Sequence, residues 1–262
     1  MQISISNSIG GGGGAQGATP TPSFASTKSF LFDGSTDFID CSSSIATVSS
    51  DNEGTISVWV KPTALTGNQN YITLTDRSQS GVYLVIGHNT TYNLFVQLRN
   101  GWSTTGFLLG TDTSPLSVGV WTHIALVQDG VSAVIYVNGV AVPQTFAISN
   151  YPQKWMNDFT INEFNIGKLE YSGGSINFTD GNLDEFSYFN TALSSSDILS
   201  VYNLGVPASL TLLSPVIWYR MGEEASWDGV NWTLTDQGSG GNDGTSSTLP
   251  APPTQPSTDV PT

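Results

Sequence analysis

The chain has 262 residues and carries 7 Lys and Arg against 21 Asp and Glu, which gives a net charge of −14. Such a field repels nucleic acid and anionic membranes, so we expect neither as a partner. A single cysteine, Cys41, excludes an intrachain disulfide, and its apolar neighbours indicate a buried side chain. No apolar run approaches the roughly 18 residues of a membrane span, and the first residues do not have the pattern of a signal peptide.

Residues 1–27 predict a flexible N-terminal arm that can anchor the protein to a partner. Gln2 to Ser6 alternates as a short strand does, and such a strand can add to the sheet edge of a neighbouring subunit. Gly10 to Gly14 and the Thr-Pro pairs that follow cannot build a core and are typical of a tether. A terminus without fixed structure fits the same residues.

Residues 28–222 predict a single all-β domain. Short runs rich in β-branched and aromatic residues are separated by Gly and Asn turns, and Gly54 to Pro62 is the clearest of these strands. One strand about every 8–12 residues is typical of a sandwich or barrel rather than of alternating strands and helices.

The segment from Trp121 to Gly139 predicts the central hairpin of this domain. In each of its two runs, successive side chains are expected to point to opposite faces of a strand. Both faces carry apolar residues, which indicates strands that are covered on both sides. Asp129-Gly130 and Asn138-Gly139 supply the positive backbone angles that tight turns need.

The sequence predicts one short helix, Ser194 to Leu204, near the end of the domain. Ser194 can cap it, and Ile198 and Val201 begin an apolar stripe at helical spacing. Beyond it, residues 223–262 are rich in Gly, Pro, Ser and Thr and predict an extended, loop-rich C-terminal tail without a core of its own.

Seven motifs in a fixed order carry a family resemblance over about Phe30 to Tyr202. They are Phe-Asp-Gly at 32–34, Thr-Ile-Ser-Val-Trp-Val-Lys-Pro at 55–62, Trp-Thr-His-Ile-Ala-Leu-Val at 121–127, Ile-Tyr-Val-Asn-Gly at 135–139, Phe-Asn-Ile-Gly at 164–167, Gly-Asn-Leu-Asp-Glu-Phe-Ser at 181–187 and Ala-Leu-Ser-Ser-Ser-Asp-Ile at 192–198. Together they resemble the laminin-G-like, concanavalin-A-like lectin and glucanase jelly roll. The resemblance implies a sandwich of two antiparallel sheets, with sugars or proteins bound at the concave face or at the loop rims.

The resemblance also implies a structural Ca²⁺, which many members of the family hold. Asp33 and Asp184 match the recurring aspartates of the family motifs. Ca²⁺ takes six to eight oxygen ligands, so backbone carbonyls and water would have to complete the site. The alternative is that Asp33 is a turn residue and that Asp184 and Glu185 are solvated strand carboxylates.

A glycan hydrolase on this fold is the remote alternative, and we expect no enzymatic activity. A retaining enzyme needs two carboxylates about 5–5.5 Å apart, whereas the adjacent Asp184 and Glu185 are predicted to point to opposite faces of a strand. His123 is predicted to be a packed strand histidine, and His88 to lie in an exposed turn.

Aromatic residues in or beside predicted loops are the candidate ligand-binding residues, because sugars stack on flat rings. These residues are Trp102, Tyr151, Trp155 and Tyr92. Trp59, Trp121 and Trp218 fall in predicted strands, where a core position is expected.

The overall layout, with its Gly-rich start and its Asp259-Val260-Pro261 ending, also resembles virion structural proteins of marine tailed phages. This resemblance implies a non-enzymatic structural or adhesive module on the exposed surface of a phage particle, such as a capsid decoration, a head fibre or a tail-associated protein. Its partners would be other virion proteins or further copies of itself, for example in a trimer. The alternative function is a carbohydrate-binding module for host or environmental glycans, with or without Ca²⁺.

Overall fold

The computed structural model describes residues 24–101 and 105–262. These residues fold into two packed antiparallel sheets, and a two-stranded hairpin lies beside them. The predicted all-β sandwich is therefore confirmed.

Nineteen strands form the three sheets of the described residues. The first nine are β1 (Phe30–Asp33), β2 (Ile39–Asp40), β3 (Gly54–Pro62), β4 (Gln69–Thr75), β5 (Val82–Asn89), β6 (Asn93–Asn100), β7 (Thr105–Thr111), β8 (Thr122–Gln128) and β9 (Ala133–Val137). The others are β10 (Val140–Ala141), β11 (Gln144–Ser149), β12 (Glu163–Ile166), β13 (Leu169–Tyr171), β14 (Gly174–Ile176), β15 (Asp180–Phe189), β16 (Ile217–Tyr219), β17 (Ala225–Trp227), β18 (Trp232–Leu234) and β19 (Gly244–Ser246).

The smaller of the two main sheets has seven strands in the order β1-β15-β3-β8-β9-β10, and β16 pairs with β15 as well. The larger sheet has ten strands in the order β11-β7-β6-β5-β4-β12-β2-β19-β18-β17. The predicted hairpin is confirmed as β8 and β9, and every residue of β8 is buried. Strands β13 and β14 form the separate hairpin.

The main core lies between the two sheets, because each strand turns alternate side chains inward. On β5, for example, Leu84 and Ile86 belong to this core, and Cys41 is buried in it as predicted. The outer face of the smaller sheet carries a second apolar cluster, which includes Ile198 and Val201 of the helix.

The predicted helix is confirmed as α2, Ser195–Tyr202, and a single turn, α1 (Ile45–Val48), adds a second short helix. Ser194 caps α2 because its hydroxyl accepts a hydrogen bond from the Asp197 backbone N–H, while the Asp197 carboxylate accepts one from the Ser194 N–H. This reciprocal pair satisfies two donors that the helix itself leaves free.

The C-terminal segment differs from the prediction of an extended tail. Strands β17, β18 and β19 continue the larger sheet beside β2. Trp232 and Leu249 are buried in the main core, and the Trp232 Nε1–H donates to the Pro250 carbonyl. Turn residues dominated this part of the sequence and concealed the short strands between them, so the predicted boundary at residue 222 is wrong.

The segment from Gln255 to Asp259 packs beside the first strand, β1. Ser29 and Ser257 exchange backbone hydrogen bonds, and the Gln255 side chain bonds to both the N–H and the carbonyl of Leu31. Asp259 accepts a hydrogen bond from the Trp121 indole at 2.9 Å. The final segment therefore covers the edge of β1, which protects that strand from pairing with another chain.

Residues 1–23 lie outside the described residues, and with them lie most of the predicted arm and the strand-like run at Gln2 to Ser6. The described end of the arm packs on the domain, where the Phe24 ring stacks on Trp218 with 5.8 Å between the centroids. Within residues 24–101 and 105–262, none of the helices is long and apolar enough to cross a membrane.

Candidate functional site

An open groove lies on the face of the larger sheet that is turned away from the main core. Strands β4 to β7 form its floor, and the β13–β14 hairpin stands at one side. Its volume is about 380 Å³.

The groove is lined by carboxamides and by apolar or aromatic side chains. The carboxamides are Asn68, Asn70, Asn89, Gln97 and Asn177. The other lining residues are Tyr83, Val85, Tyr92, Phe95, Leu108, Leu169 and Ile176. Among the described residues, this lining contains no Asp, Glu, Lys or Arg.

Strand alternation positions the floor of the groove. Leu84 and Ile86 turn inward from β5, so Tyr83 and Val85 face the groove. Gln97 lies opposite Val85 on β6, and its Oε1 accepts a hydrogen bond from the Tyr83 hydroxyl at 3.0 Å. The Tyr83 ring is thereby held at a fixed place on the floor.

Asn70 is a buried polar residue of the groove whose side chain has no hydrogen-bond partner among the described residues. It is 1% exposed, and neither the nitrogen nor the oxygen of its carboxamide makes a hydrogen bond within the described structure. Gly87 leaves room for it, because a Cβ at Gly87 would lie 2.9 Å from the Asn70 Oδ1. A buried amide without partners costs free energy, so a lining amide of this kind is suited to a ligand that supplies hydroxyls.

Tyr92 lies at the rim, in the turn between β5 and β6. The Asn89 Oδ1 accepts hydrogen bonds from the Thr91 and Tyr92 backbone N–H groups at 2.8 and 2.7 Å, which fixes the turn. The Tyr92 backbone also lies close against Gly110 on β7. Tyr83 and Tyr92 therefore bring two aromatic rings to one cavity.

A second polar cluster is buried at the other sheet, where Asp184 and Glu185 of β15 meet Glu223. One carboxylate oxygen from each lies within 4.8 Å of the other two. The register of β15 against β3 shifts between Asp184 and Ser187, and Glu185 has a φ of 47°. This bulge breaks the alternation, so the prediction that the two neighbouring carboxylates point to opposite faces is wrong.

Protein donors surround these three carboxylates. The Ser26 hydroxyl donates to Asp184 at 2.7 Å, and the Trp218 indole donates to Glu185 at 2.7 Å. The Arg220 guanidinium donates to Glu185 at 3.3 Å. The backbone N–H groups of residues 27 and 28 donate to the Glu223 Oε1, which leaves its buried Oε2 without a partner.

Burial governs the protonation of this cluster. It raises the pKa of Glu185 to about 7, even though Arg220 and Trp218 act in the opposite direction. Burial, followed by the charge of Glu185, raises the pKa of Asp184 well above its ordinary value. The folded cluster therefore binds protons at a pH where exposed carboxyls are ionised.

Asp33 and Asp184 do not form one calcium site. Asp33 is paired with Asp180 in the β1–β15 register, so Asp184 lies four residues farther along β15, roughly 13 Å away. The Asp33 carboxylate accepts hydrogen bonds from Ser35, Thr36 and Asp37, as a turn residue does. These bonds outweigh partial burial and hold the pKa of Asp33 below its ordinary value.

The cluster around Asp184 fits Ca²⁺ no better, because all but one of its carboxylate oxygens accept a hydrogen bond from the protein. Arg220 also supplies the positive charge that an ion would bring. A cation that needs six to eight oxygens would have to displace these donors. The alternative of solvated strand carboxylates is wrong as well, since Asp184 and Glu185 are both buried.

The four predicted ligand-binding aromatics do not lie together. Tyr92 lines the groove, whereas Tyr151 is exposed elsewhere, with the Lys154 ammonium 5.4 Å from its ring centroid. Trp155 is fully buried, and its indole donates to the Tyr188 hydroxyl at 3.3 Å. A ring without exposed surface cannot stack on a sugar, so Trp155 is a core residue and that prediction is wrong. Trp102 lies outside the described residues.

The two histidines take up buried positions. His123 is packed as predicted, with its Nε2 2.8 Å from the Ser57 hydroxyl, and burial lowers its pKa to about 3. His88 was expected in an exposed turn, but it is buried in β5 and its Nδ1 lies 2.7 Å from the Tyr71 hydroxyl. Trp59 and Trp218 are buried, in agreement with the prediction of core positions, whereas Trp121 is half-buried and lies just before β8, so that part of the prediction is wrong.

Sequence reasoning missed most of the groove. It singled out Tyr92 but neither Tyr83 nor any of the amides. The alternation of β5 and β6 could have placed Tyr83, Phe95 and Gln97 on one face. The unpartnered state of Asn70 depends on a register shift in β4 between Asn70 and Ile72, for which the sequence has no signal.

The two antiparallel sheets form a sandwich of the concanavalin-A type. A family model described as "Concanavalin A-like lectin/glucanases superfamily" matches residues 33–199. The chain belongs to this superfamily. No curated protein sequence matches it significantly.

Solved structures share the fold. The CBM40 domain of the Ruminococcus gnavus IT-sialidase, bound to α2,3-sialyllactose, is 17% identical over 67% of this chain and 96% of its own, with a TM-score of 0.58. A Bacteroides ovatus protein named as a "putative carbohydrate binding protein" is 15% identical over 85% of this chain and 58% of its own, with a TM-score of 0.57. The NanB sialidase of Streptococcus pneumoniae is 20% identical over 66% of this chain and 27% of its own, with a TM-score of 0.53. At these identities the likeness shows the fold alone.

Proposed function

We propose that this protein is a non-enzymatic carbohydrate-binding module and that it takes an uncharged stretch of glycan in the groove on its larger sheet. The observation that carries the proposal is the buried, unpartnered carboxamide of Asn70 beside the Tyr83 and Tyr92 rings. Specific sites combine an apolar or aromatic wall with a few well-placed polar groups, and this groove has that composition.

Each part of the lining suits a feature of a sugar. The Tyr92 ring offers a flat surface for the apolar C–H face of a pyranose, whereas the Arg99 guanidinium lies over the Tyr83 ring, 5.9 Å from its centroid. The amides of Asn70, Asn89 and Gln97 carry both donors and acceptors, which match hydroxyl groups whatever their orientation. The related solved structures include two that are described by carbohydrate binding, which supports the same proposal.

Hydrolysis is not part of the proposal. The lining of the groove has no carboxylate among the described residues, whereas glycoside hydrolysis needs two. Asp184 and Glu185 do lie close together, but they are buried among protein donors and line none of the described cavities.

A glycan array followed by calorimetric titration tests the proposal. We expect at least one glycan to bind, and Tyr92→Ala to weaken it about tenfold, or about 1.4 kcal/mol, because the rim ring is lost. Tyr151→Ala is the matched control, since it removes an exposed tyrosine that lies outside the groove. Equal effects of the two substitutions, or an array without any signal, would overturn the proposal.

For the biological setting we propose display on the surface of a phage particle, where glycan binding would be adhesive. The residues from Phe24 to Thr27 contact Trp218, Arg220 and Glu223, and these contacts fix the point at which the N-terminal segment joins the domain. Mass spectrometry of purified virions tests this setting. If the protein is absent from such particles, display on a phage surface is excluded. The glycan-binding proposal does not depend on the outcome.

A further inference from the structure

The floor of the groove contains a slot at a residue that has no side chain. Gly87 of β5 is paired with Asn70 of β4 on one side and with Phe95 of β6 on the other, and both of these neighbours line the groove. Adjacent strands lie about 4.8 Å apart, so the backbones that carry Asn70 and Phe95 are about 10 Å apart with only Gly87 between them. We call this space above Gly87, bounded by the Asn70 and Phe95 side chains, the Gly87 slot.

Two glycines shape the Gly87 slot. A Cβ at position 87 would lie 2.9 Å from the Asn70 Oδ1, so glycine lets the carboxamide edge form one wall of the slot. Gly110 of β7 is paired with Phe95 on its far side, and a Cβ at position 110 would lie 3.0 Å from the Cβ of Tyr92. The slot is therefore bounded by an amide on one side and by aromatic residues on the other.

The two walls of the Gly87 slot differ in chemistry. The nitrogen and the oxygen of the Asn70 carboxamide both lack a hydrogen-bond partner in the described structure, so this wall offers N–H donors and an acceptor. Phe95 and Val85 belong to the apolar cluster on this face of the sheet and form the other wall. A hydroxyl turned towards them would lose its hydration and gain no hydrogen bond. The slot is therefore suited to a group that is polar on one side and apolar on the other.

From the Gly87 slot we infer the class of sugar: an N-acetylated sugar, whose acetamide group enters the slot. The inference rests on the proposed function. The acetamide N–H and the hydroxyl oxygen on the neighbouring ring carbon supply the donor and the acceptor that Asn70 lacks, while the acetyl methyl packs on Phe95 and Val85. An acetamide carries no charge, which matches a lining without Asp, Glu, Lys or Arg among the described residues.

Calorimetric titration with pairs of sugars that differ in one substituent tests the inference. Chitotetraose and cellotetraose share a β1,4-linked backbone and carry an acetamide or a hydroxyl, respectively, at carbon 2. N-acetylgalactosamine and galactose form a second pair with the same difference. In at least one pair we expect the acetamide member to bind about tenfold more tightly, because its acetyl group is removed from water against the apolar wall.

Val85→Thr tests the apolar wall, because it replaces one methyl by a hydroxyl at nearly the same volume. We expect it to reduce the preference for the acetamide about threefold or more. Val131→Thr is the matched control, since it makes the same change at a residue that is 70% exposed and lies outside the groove. An intermolecular NOE between the acetyl methyl and the Phe95 ring protons is expected in the wild type, so this readout needs no variant. A preference unchanged in Val85→Thr, or the absence of this NOE, would overturn the inference.

The two proposals fail differently. Equal binding within both pairs overturns the acetamide preference and leaves the glycan-binding function intact. If neither pair binds while other glycans on the array do, the acetamide preference is likewise overturned. An array without any signal overturns both.

Discussion

Two polar regions of this molecule differ in the way their buried groups are satisfied. Around Asp184, Glu185 and Glu223, charged groups are enclosed and nearly every oxygen accepts a hydrogen bond from a protein donor. In the groove, uncharged amides line an open cavity, and the Asn70 carboxamide has no hydrogen-bond partner. Since burying an unsatisfied polar group costs free energy, the first region contributes to the folded state and the second is suited to a ligand.

The comparison shows why residue type alone is a poor guide to function here. Carboxylates are the usual candidates for catalysis or metal binding, yet in this fold Asp184 and Glu185 are held by Arg220, Trp218 and Ser26. The amides of the groove carry no charge, yet it is one of them, the Asn70 carboxamide, that is buried without a hydrogen-bond partner.

The largest effect is expected from Arg220→Met, which removes the cation from the buried cluster. Breaking a buried pair on one side typically costs about 3–5 kcal/mol, because the charges that remain are uncompensated. Urea unfolding at pH 8 measures this loss, and glycan affinity should be unchanged. Arg77→Met is the control, because Arg77 also contacts two glutamates but its side chain is 59% exposed, so less than about 1 kcal/mol is expected. Similar losses in the two variants would contradict the comparison.

The stability of the cluster should fall as the pH rises. The pKa of Glu185 rises from its ordinary value of 4.5 to about 7 in the folded protein, and that of Asp184 rises too, so the folded state holds more protons than the unfolded chain. This contribution is complete below pH 4.5 and is lost as the pH passes about 7, at roughly 1.4 kcal/mol per unit of pKa change.

The expected fall in stability with rising pH is checked by measuring the free energy of unfolding between pH 5 and 8 for the wild type and for Asp184→Asn. The variant keeps an oxygen acceptor for Ser26 but cannot ionise, so its curve should decline less steeply. His88 and His123, whose pKa values burial lowers from 6.5, reduce the stability as the pH falls below about 6.5, and they do so equally in both proteins. If the two proteins lose stability equally steeply with rising pH, the cluster is not the source of the pH dependence.

A smaller loss of stability is expected from Trp155→Phe. The substitution removes the hydrogen bond to Tyr188 and part of a fully buried ring, which should cost about 1–3 kcal/mol. Glycan affinity should not change, because Trp155 is a core residue. Thermal unfolding and titration of the same sample check both statements, and a loss of affinity without a loss of stability would contradict them.

The smallest stability change is expected from Asn70→Ala, which removes the unpartnered amide. Because that amide costs desolvation free energy and gains no hydrogen bond in return, we expect stability to stay within about 1 kcal/mol of the wild type or to rise. Glycan affinity should nevertheless fall about tenfold. A clear loss of stability would show that Asn70 has a structural role instead.

The sequence predicted those parts of the fold that depend on local pattern. Alternation located β3, β8 and β9, and the reciprocal bonds of Ser194 and Asp197 were readable as a cap and an acidic first turn. Strands β17 to β19 have three residues each and lie among turn residues, so they are too short for the alternation of a strand to be recognised in the sequence.

The predictions for the site failed where they depended on contacts between residues that are far apart in the sequence. The bulge at Glu185 turns neighbouring carboxylates towards one cluster, and burial of Trp155 depends on Tyr188, which lies 33 residues away along the chain. Tyr92 could be found because it lies in a polar turn beside a strand. Asn70 could not, since an amide without partners is defined only by the surroundings that the fold creates.

Glycan binding in the groove is tested by a heteronuclear NMR titration with the glycan that gives the strongest array signal. We expect the Asn70 side-chain amide resonances and the backbone resonances of Tyr83, Tyr92 and Gln97 to shift in a saturable manner, while the Trp218 and Trp155 indole resonances stay unchanged. Saturable binding that leaves the Asn70 and Tyr92 resonances in place would contradict it and would locate the glycan elsewhere.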